Sequence, residues 1–349
     1  MRKSVVLFLL FLGITGLSLH SGEKEDGSLK HLANEQGIDF GFAVHNSFFD
    51  MEKDHPYVQL LRQNANVLVA ENAMKPYRMQ PKRGNFFFEE ADRLVAFAEA
   101  NDMKVRGHCL VWHKQIPRWM SDTTLTREEM LEVLENHITT IVSRYKGRVH
   151  EWDVVNEAID TEETNNYRRT VWYRTIGPEY IDSAFVYAHR ADPEAVLYYN
   201  DFSAEEMNEK SDAVYKMVKG LVKRGVPVDA VGLQSHFRLN SFSTEEIKEN
   251  MDRLGKLGLQ TNITELDISI PMDGISDETL QEQADDYARI MRLCLNQKNC
   301  RSLLVWGVQD SHSWIPGHTD GERGAALLFD EEMSPKPAYY EIRDVLKSR

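Results

Sequence analysis

The chain has 349 residues, of which 42% are hydrophobic and 28% charged, with 20 glycines and 11 prolines. That balance excludes a collagenous or low-complexity chain, and the length accommodates one large domain or two ordinary ones. A net charge of −14 repels phosphate backbones and excludes nucleic acid as a partner, whereas a neutral polymer such as a polysaccharide meets no such repulsion.

At the amino end, Arg2 and Lys3 precede an apolar run over residues 5–12 that continues weakly to Leu19. A short basic start and a brief apolar stretch form the pattern of a secretory leader. Gly13, Thr15 and Gly16 interrupt the run before it reaches membrane-spanning length. A leader over 1–22 is expected, with its cleavage point unfixed, then a polar linker over 23–28. The mature chain is then exported, to periplasm or medium, without stable membrane insertion. A membrane anchor is the alternative.

Short apolar runs follow at 40–44, 67–70, 105–111, 149–155, 196–199, 228–233, 259–263 and 303–306. Between them lie longer segments with 3.6-residue periodicity, clearest at 126–145, 180–189, 205–223, 244–257 and 278–295. In the first of these, Met130, Leu134, Ile138 and Ile141 share a face, and Thr126 with Glu129 has the spacing of a capping box. Eight strands alternating with helices predict an α/β fold with a parallel sheet, and eight is the number that closes a (β/α)8 TIM barrel. No Pro/Gly-rich linker or internal repeat occurs after Ser28, so one domain over 29–349 is the economical organisation. A doubly wound sheet is the alternative, but no G-x-G-x-x-G follows the first run.

In such a barrel the chemistry lies where strands end. Here the ends carry His45 and Asn46; Glu71 and Asn72; His108, Trp112 and His113; Asn156 and Glu157; Asn200 and Asp201; Gln234 and His236; Glu265 and Asp267; Trp306, Gln309 and Asp310. That is a polar cleft. Glu157 and Glu265 each follow an apolar strand and would be partly desolvated. Two facing carboxylates can divide into a protonated acid and an ionised partner, the division that glycoside hydrolysis needs. Strand-end glutamates in unrelated salt bridges are the bland alternative. Trp112, Trp306 and Trp314 fall at the same mouth, where indoles stack on the C–H faces of sugars; core packing is the usual fate of any one of them. His113 and His318 read as structural hydrogen-bonding residues.

The chain has three cysteines. Cys294 and Cys300, near the end of a helix and ahead of a strand, have a spacing able to close a small loop, and export makes a disulfide permissible. Cys109, in an apolar run, reads as a buried free thiol. No Cys/His cluster has zinc-ligand spacing and no calcium-loop pattern occurs; because two carboxylates suffice for glycoside hydrolysis, neither metal nor organic cofactor is expected.

Seven motifs, read together, resemble glycoside hydrolase family 10, the endo-β-1,4-xylanase family. They are ENAMK (71–75), GHCLVWH (107–113), DVVNEA (153–158), YYNDF (198–202), GLQSH (232–236), ITELDI (263–268) and VWGVQDSHSWIPG (305–317). Their order and spacing match over about residues 39–347. The resemblance implies a retaining enzyme that cleaves internal bonds of xylan, with Glu157 as acid/base and Glu265 as nucleophile. It implies that His236, backed by Asp267, tunes the nucleophile. Asn156 and Gln234 match groups contacting the sugar cleaved at its anomeric carbon. Lys75, His108, Trp112 and Trp306 match the walls of that subsite, and Glu71 and Asn72 match groups binding the next sugar. Trp314 matches the indole that crowds out a hydroxymethyl group, and Cys294 and Cys300 match a pair bridged in some relatives. Pro76 stands where many members have tryptophan, and 161–173 is a family-variable loop. Xylan or xylo-oligosaccharide is the expected partner and a monomer the expected state. The competing readings are a β-1,4-glucan substrate and a catalytically dead carbohydrate-binding protein.

Overall fold

The computed structural model describes residues 27–348; the expected leader 1–22 and linker residues 23–26 lie outside them. Ser28 caps the first helix, Leu29–Gln36, its hydroxyl accepting the His31 amide. The barrel strands are β1 (Asp39–Val44), β2 (Val67–Ala70), β3 (Lys104–Gly107), β4 (Glu151–Asn156), β5 (Val196–Asp201), β6 (Ala230–Leu233), β7 (Gln260–Pro271) and β8 (Ser302–Val305). Each pairs in parallel with the next. β8 closes on β1, with Phe40 opposite Leu303 and Phe42 opposite Val305. The expected single (β/α)8 barrel is therefore the fold. A parallel sheet wrapped by helices buries both faces of its strands, which is why they read as unbroken apolar runs rather than alternating ones.

The outer helices show their start signals. Before helix Arg127–Arg144, the Thr126 hydroxyl accepts the Glu129 amide while the Glu129 carboxylate accepts the Thr126 amide, the expected capping box. Helices Pro56–Asn64 and Pro337–Lys347 open on proline, and Glu89–Ala100 opens on three acids that favour its positive end. The helix expected over 205–223 begins only at Glu209. Asn208 caps it, and the Glu205 carboxylate turns inward to accept the Ser235 amide at 2.8 Å.

Two strands differ from the apolar runs. β3 stops at Gly107 rather than continuing to 111; a cis His108–Cys109 peptide follows, and Val111 meets Val155 only as an isolated bridge. β7 runs far beyond 263 because two short strands extend its pairing, His236–Arg238 in parallel and Arg323–Gly324 antiparallel. Cys294 and Cys300 are joined with their Cα atoms 5.2 Å apart, fastening helix Asp277–Asn296 to the turn before β8. Cys109 is a buried free thiol.

One charged cluster interrupts the apolar barrel interior. Arg106 on β3 is 1% exposed; it donates to Glu151 at 2.8 Å and forks onto Asp153, both on β4. Its guanidinium lies 3.8 Å above the Tyr198 ring of β5. Burying a guanidinium is costly, and two carboxylates plus an aromatic face offset that cost. Asp153 also bonds the His108 ring at 2.9 Å, which ties the cluster to the barrel mouth.

Candidate active site

β7 pairs with β6 only as far as Ile263, opposite Leu233, so Glu265 emerges as the barrel opens although its own strand continues. Its carboxylate is 4% exposed. One oxygen accepts the Asn200 amide at 2.7 Å, with the His108 ring at 3.8 Å; the other lies 3.3 Å from His236 Nε2. Burial alone would raise its pKa. The charge of His108, the bond and charge of His236, and the Asn200 hydrogen bond outweigh burial and hold it at about 2. Glu265 is thus an anion at any ordinary pH.

His236 is held between two carboxylates. Its Nδ1 lies 2.9 Å from Asp267 and its Nε2 faces Glu265. Burial pushes its pKa down, but Asp267 and then Glu265 raise it to about 10. The same Asp267 oxygen accepts the Trp314 indole N–H at 2.8 Å, so Trp314 is fixed by the group that orients His236.

Glu157 follows the last residue of β4 with φ at +58°. A left-handed backbone costs a non-glycine residue roughly 1–3 kcal/mol. It is held by the Glu157 amide, which donates to the Asn200 carbonyl at 2.9 Å. The carboxylate receives only neutral amides, from Asn156 at 3.2 Å and Gln234 at 3.3 Å. His113 stands 3.7 Å away, and burial lowers its pKa to about 4 despite the pull of Glu157, so it is neutral here.

Asn200, at the end of β5, joins the two carboxylates. Its amide donates to Glu265 and, at 2.8 Å, to Asn156, while its oxygen accepts the Thr264 hydroxyl at 2.7 Å. Asn156 in turn accepts Gln234 at 3.2 Å. Gly232 makes room for this hub: a Cβ there would stand 2.1 Å from the Asn200 side-chain oxygen.

Aromatic walls rise around the carboxylates. Trp306 meets the His108 ring edge-on at 5.0 Å, and Trp314 meets His236 at 5.0 Å. The Lys75 ammonium lies 4.9 Å over Trp112 and donates to Asn72, which donates to Glu71 at 3.1 Å. Burial lowers the Lys75 pKa, opposed by Cys109 and the carboxylates Glu265, Glu71 and Glu157. Every residue expected in the site therefore lies in one connected cluster. Four others belong to it. Asn200 was legible as a strand-end amide without a role. His113, read as structural, faces Glu157. Asp153 stood in the DVVNEA motif without a role, and Arg106, inside a strand, gave no signal beyond charge in an apolar run.

His108, Asp153 and Glu265 bring donor atoms within 4.8 Å of one another, a spacing able to hold an ion. Each donor already has a partner: His108 bonds Asp153, Arg106 neutralises Asp153, and Asn200 and His236 hold Glu265. These bonds account for the cluster.

A family profile described as glycosyl hydrolase family 10 matches residues 28–345. Endo-1,4-beta-xylanase B of Thermotoga neapolitana is 41% identical over 349 residues, covering 100% of this chain and 99% of that protein. Exoglucanase XynX of Acetivibrio thermocellus is 40% identical over 84% of this chain, which spans only 27% of that longer protein. Among solved structures, xylanase 10B from Thermotoga petrophila RKU-1 in complex with xylobiose superposes with a TM-score of 0.89 at 46% identity, covering 92% of this chain and 97% of that one. With the profile spanning nearly the whole chain and the barrel to match, the protein belongs to glycosyl hydrolase family 10.

Proposed function

We propose that this protein is an endo-1,4-β-xylanase that hydrolyses internal bonds of xylan with net retention, Glu265 acting as nucleophile and Glu157 as acid/base. The observation that carries the assignment is the contrast between their surroundings. Glu265 is held ionised by His236, His108 and Asn200, whereas Glu157 receives only neutral amides. A carboxylate locked as an anion suits attack, and the second carboxyl, bonded only by neutral amides, is left for the acid/base role.

In the first step Glu265 bonds to the anomeric carbon as the glycosidic C–O bond breaks, and Glu157 gives its proton to the departing oxygen. In the second, Glu157, now a carboxylate, takes a proton from water. The hydroxide oxygen bonds to the anomeric carbon and Glu265 leaves as the carboxylate. All proton transfers and the nucleophile come from the chain, and no cofactor enters the reaction. In this reading Glu71 and Asn72 bind the next sugar, and Trp314 walls C5, where a xylose carries only hydrogens and a glucose carries a hydroxymethyl group.

A β-1,4-glucan substrate is the second reading, raised by the relative named an exoglucanase. Reducing-sugar release from xylan and from carboxymethyl cellulose separates the two, and NMR of the first product formed reads the stereochemistry. Faster release from xylan, with the β-anomer first, is expected. Preference for the cellulose derivative, an α-anomer first, or no release from either polymer would each overturn the proposal.

The basic start and apolar run over 2–12 support export, with the mature amino terminus between about Leu19 and Ser28. Mass spectrometry of exported protein still bearing Met1 would count against it. No helix among the described residues is long and apolar enough to cross a membrane. A monomer is the proposed working state, testable by light scattering.

A further inference from the structure

Glu157 sits on a left-handed backbone, a conformation that persists in a non-glycine residue only when its neighbours hold it. The residues that do so are few. The Glu157 amide donates to the Asn200 carbonyl at 2.9 Å, and the amides of Ala158 and Ile159 both donate to the Tyr199 hydroxyl, at 3.1 and 3.2 Å. On the carbonyl side, the Arg168 guanidinium donates to Glu157 at 3.0 Å and to Ile159 at 3.3 Å, while the Arg168 amide donates to Ala158 at 2.8 Å. Three residues thus bond every backbone amide and carbonyl from Glu157 to Ile159.

Tyr199 reaches this turn from the neighbouring strand. On β5, Tyr198 lies under Arg106 and Asn200 reaches Glu265, so Tyr199 and Asp201 project to the opposite face, with Tyr199 beside Val155 of β4. A hydroxyl has one proton to give and two lone pairs. The proton goes to the Asp201 carboxylate, which leaves both lone pairs for two successive amides. Burial raises the Tyr199 pKa well above the ordinary range, and the Asp201 charge adds to that, so the group stays a phenol. Asp201 is itself anchored, by the Lys210 ammonium at 2.8 Å and the Phe202 amide at 3.0 Å. Tyr199, Asp201, Ala158 and Ile159 are all buried, so bulk water cannot take the place of the hydroxyl.

We propose that Tyr199 is a positioning residue for the acid/base: its hydroxyl, aimed by Asp201 and opposed by Arg168, holds the turn that presents the Glu157 carboxyl to the glycosidic oxygen. This rests on the xylanase reading above and adds to it what fixes the proton donor. The nucleophile is held by other side chains, His236, His108 and Asn200. Loss of the Tyr199 hydroxyl should therefore weaken proton transfer and leave attack intact. Two buried amides would lose their acceptor, and the turn would relax away from the geometry that proton transfer needs.

The test compares wild type and Tyr199→Phe on two aryl β-xylobiosides: dinitrophenyl, whose leaving group departs without a proton, and phenyl, whose leaving group needs one. Tyr199→Phe should lose about 10- to 100-fold in kcat/KM on the phenyl substrate, part of the roughly 10²- to 10⁴-fold that general acid catalysis supplies. On the dinitrophenyl substrate kcat/KM should change by less than about twofold, since it reports the first step alone. There kcat and KM should fall together, because the second step needs the same group as a base. Arg168→Ala removes the opposite side of the clamp and should show the same split between substrates; it decides the matter if Tyr199→Phe does not fold. Equal losses on the two substrates would mean that the clamp supports the whole site rather than the acid/base. No loss on either would mean that the turn holds without it. Either result would overturn the proposal while leaving the xylanase reading intact, whereas wild type that cleaves neither xylobioside would overturn both.

Discussion

Glu265 and Glu157 are buried almost equally, at 4% and 7% exposure, yet they are held by opposite kinds of neighbour. Around Glu265 stand two imidazoles, one with its pKa raised to about 10, and an asparagine whose amide points at the carboxylate. Around Glu157 stand two neutral amides and a histidine that burial keeps neutral. Burial alone would push the Glu265 carboxyl toward its neutral form, and its partner set, rather than its depth, locks it as an anion.

The contrast makes the two single mutants unlike. Glu265→Ala should lose on the order of 10⁵-fold in kcat on every substrate, because nothing replaces the nucleophile. Glu157→Ala should lose about 10²- to 10⁴-fold on xylan, whose leaving alcohol needs a proton. On an aryl xyloside with a good leaving group it should still give a burst, then stall, and added azide should relieve the stall because a small anion needs no general base. A burst retained by Glu265→Ala and lost by Glu157→Ala would reverse the assignment.

Trp314 sharpens the comparison from the substrate side. Trp314→Ala should erode the preference for xylosides over glucosides by about 10- to 200-fold, the range for one group in a fitted pocket. Since the indole N–H also bonds Asp267, Trp314→Phe separates the roles. It should keep most of the preference while loosening Asp267. Equal xyloside-to-glucoside ratios in wild type and Trp314→Ala would remove Trp314 from substrate choice.

The Asn200 side chain donates directly to Glu265 and reaches Glu157 only through Asn156, so its loss should blunt the contrast from the Glu265 side. Asn200→Ala removes a hydrogen bond to a buried anion and should lower kcat/KM by about 10- to 100-fold. Gly232→Ala should reproduce much of that effect, because its methyl would displace the Asn200 oxygen. Wild-type rates in Gly232→Ala would show that the hub tolerates movement.

The smallest effect expected is on pH dependence. The Glu265 pKa is depressed, so its contribution to stability is full above about 4.5 and lost as pH falls through about 2. The His236 pKa is raised, so its contribution is full below about 6.5 and lost as pH rises through about 10. Denaturant titrations across pH should show both limbs. In His236→Gln the alkaline limb should disappear and the acid limb of Glu265 should move up by about one unit, the size of a single charged partner's effect. Unmoved limbs would mean that His236 does not set the charge of Glu265.

The barrel was legible because a fully buried parallel strand leaves an unbroken apolar run, and eight such runs were visible. Glu157, Glu265 and the three tryptophans at the mouth were legible for a related reason: a barrel places whatever follows a strand at the same end. What was hidden depends on contacts between distant strands. Nothing local in β3 says that Arg106 forks onto Asp153 of β4, or that Asn200 of β5 reaches Glu265 of β7. The extension of β7 past 263 was hidden as well, because it needs two strands drawn from other loops. His113 read as a structural residue because its partner, Glu157, is brought near by a different loop.

The division of labour between the two glutamates can be tested by trapping the covalent intermediate. In a xylobioside, fluorine at C2 slows both steps while a good leaving group at C1 restores the first, so the glycosyl-enzyme accumulates. Peptide mapping by mass spectrometry then identifies the esterified residue. The contrast in electrostatic surroundings predicts a single label on Glu265. A label on Glu157, or turnover with no covalent adduct at all, would contradict it.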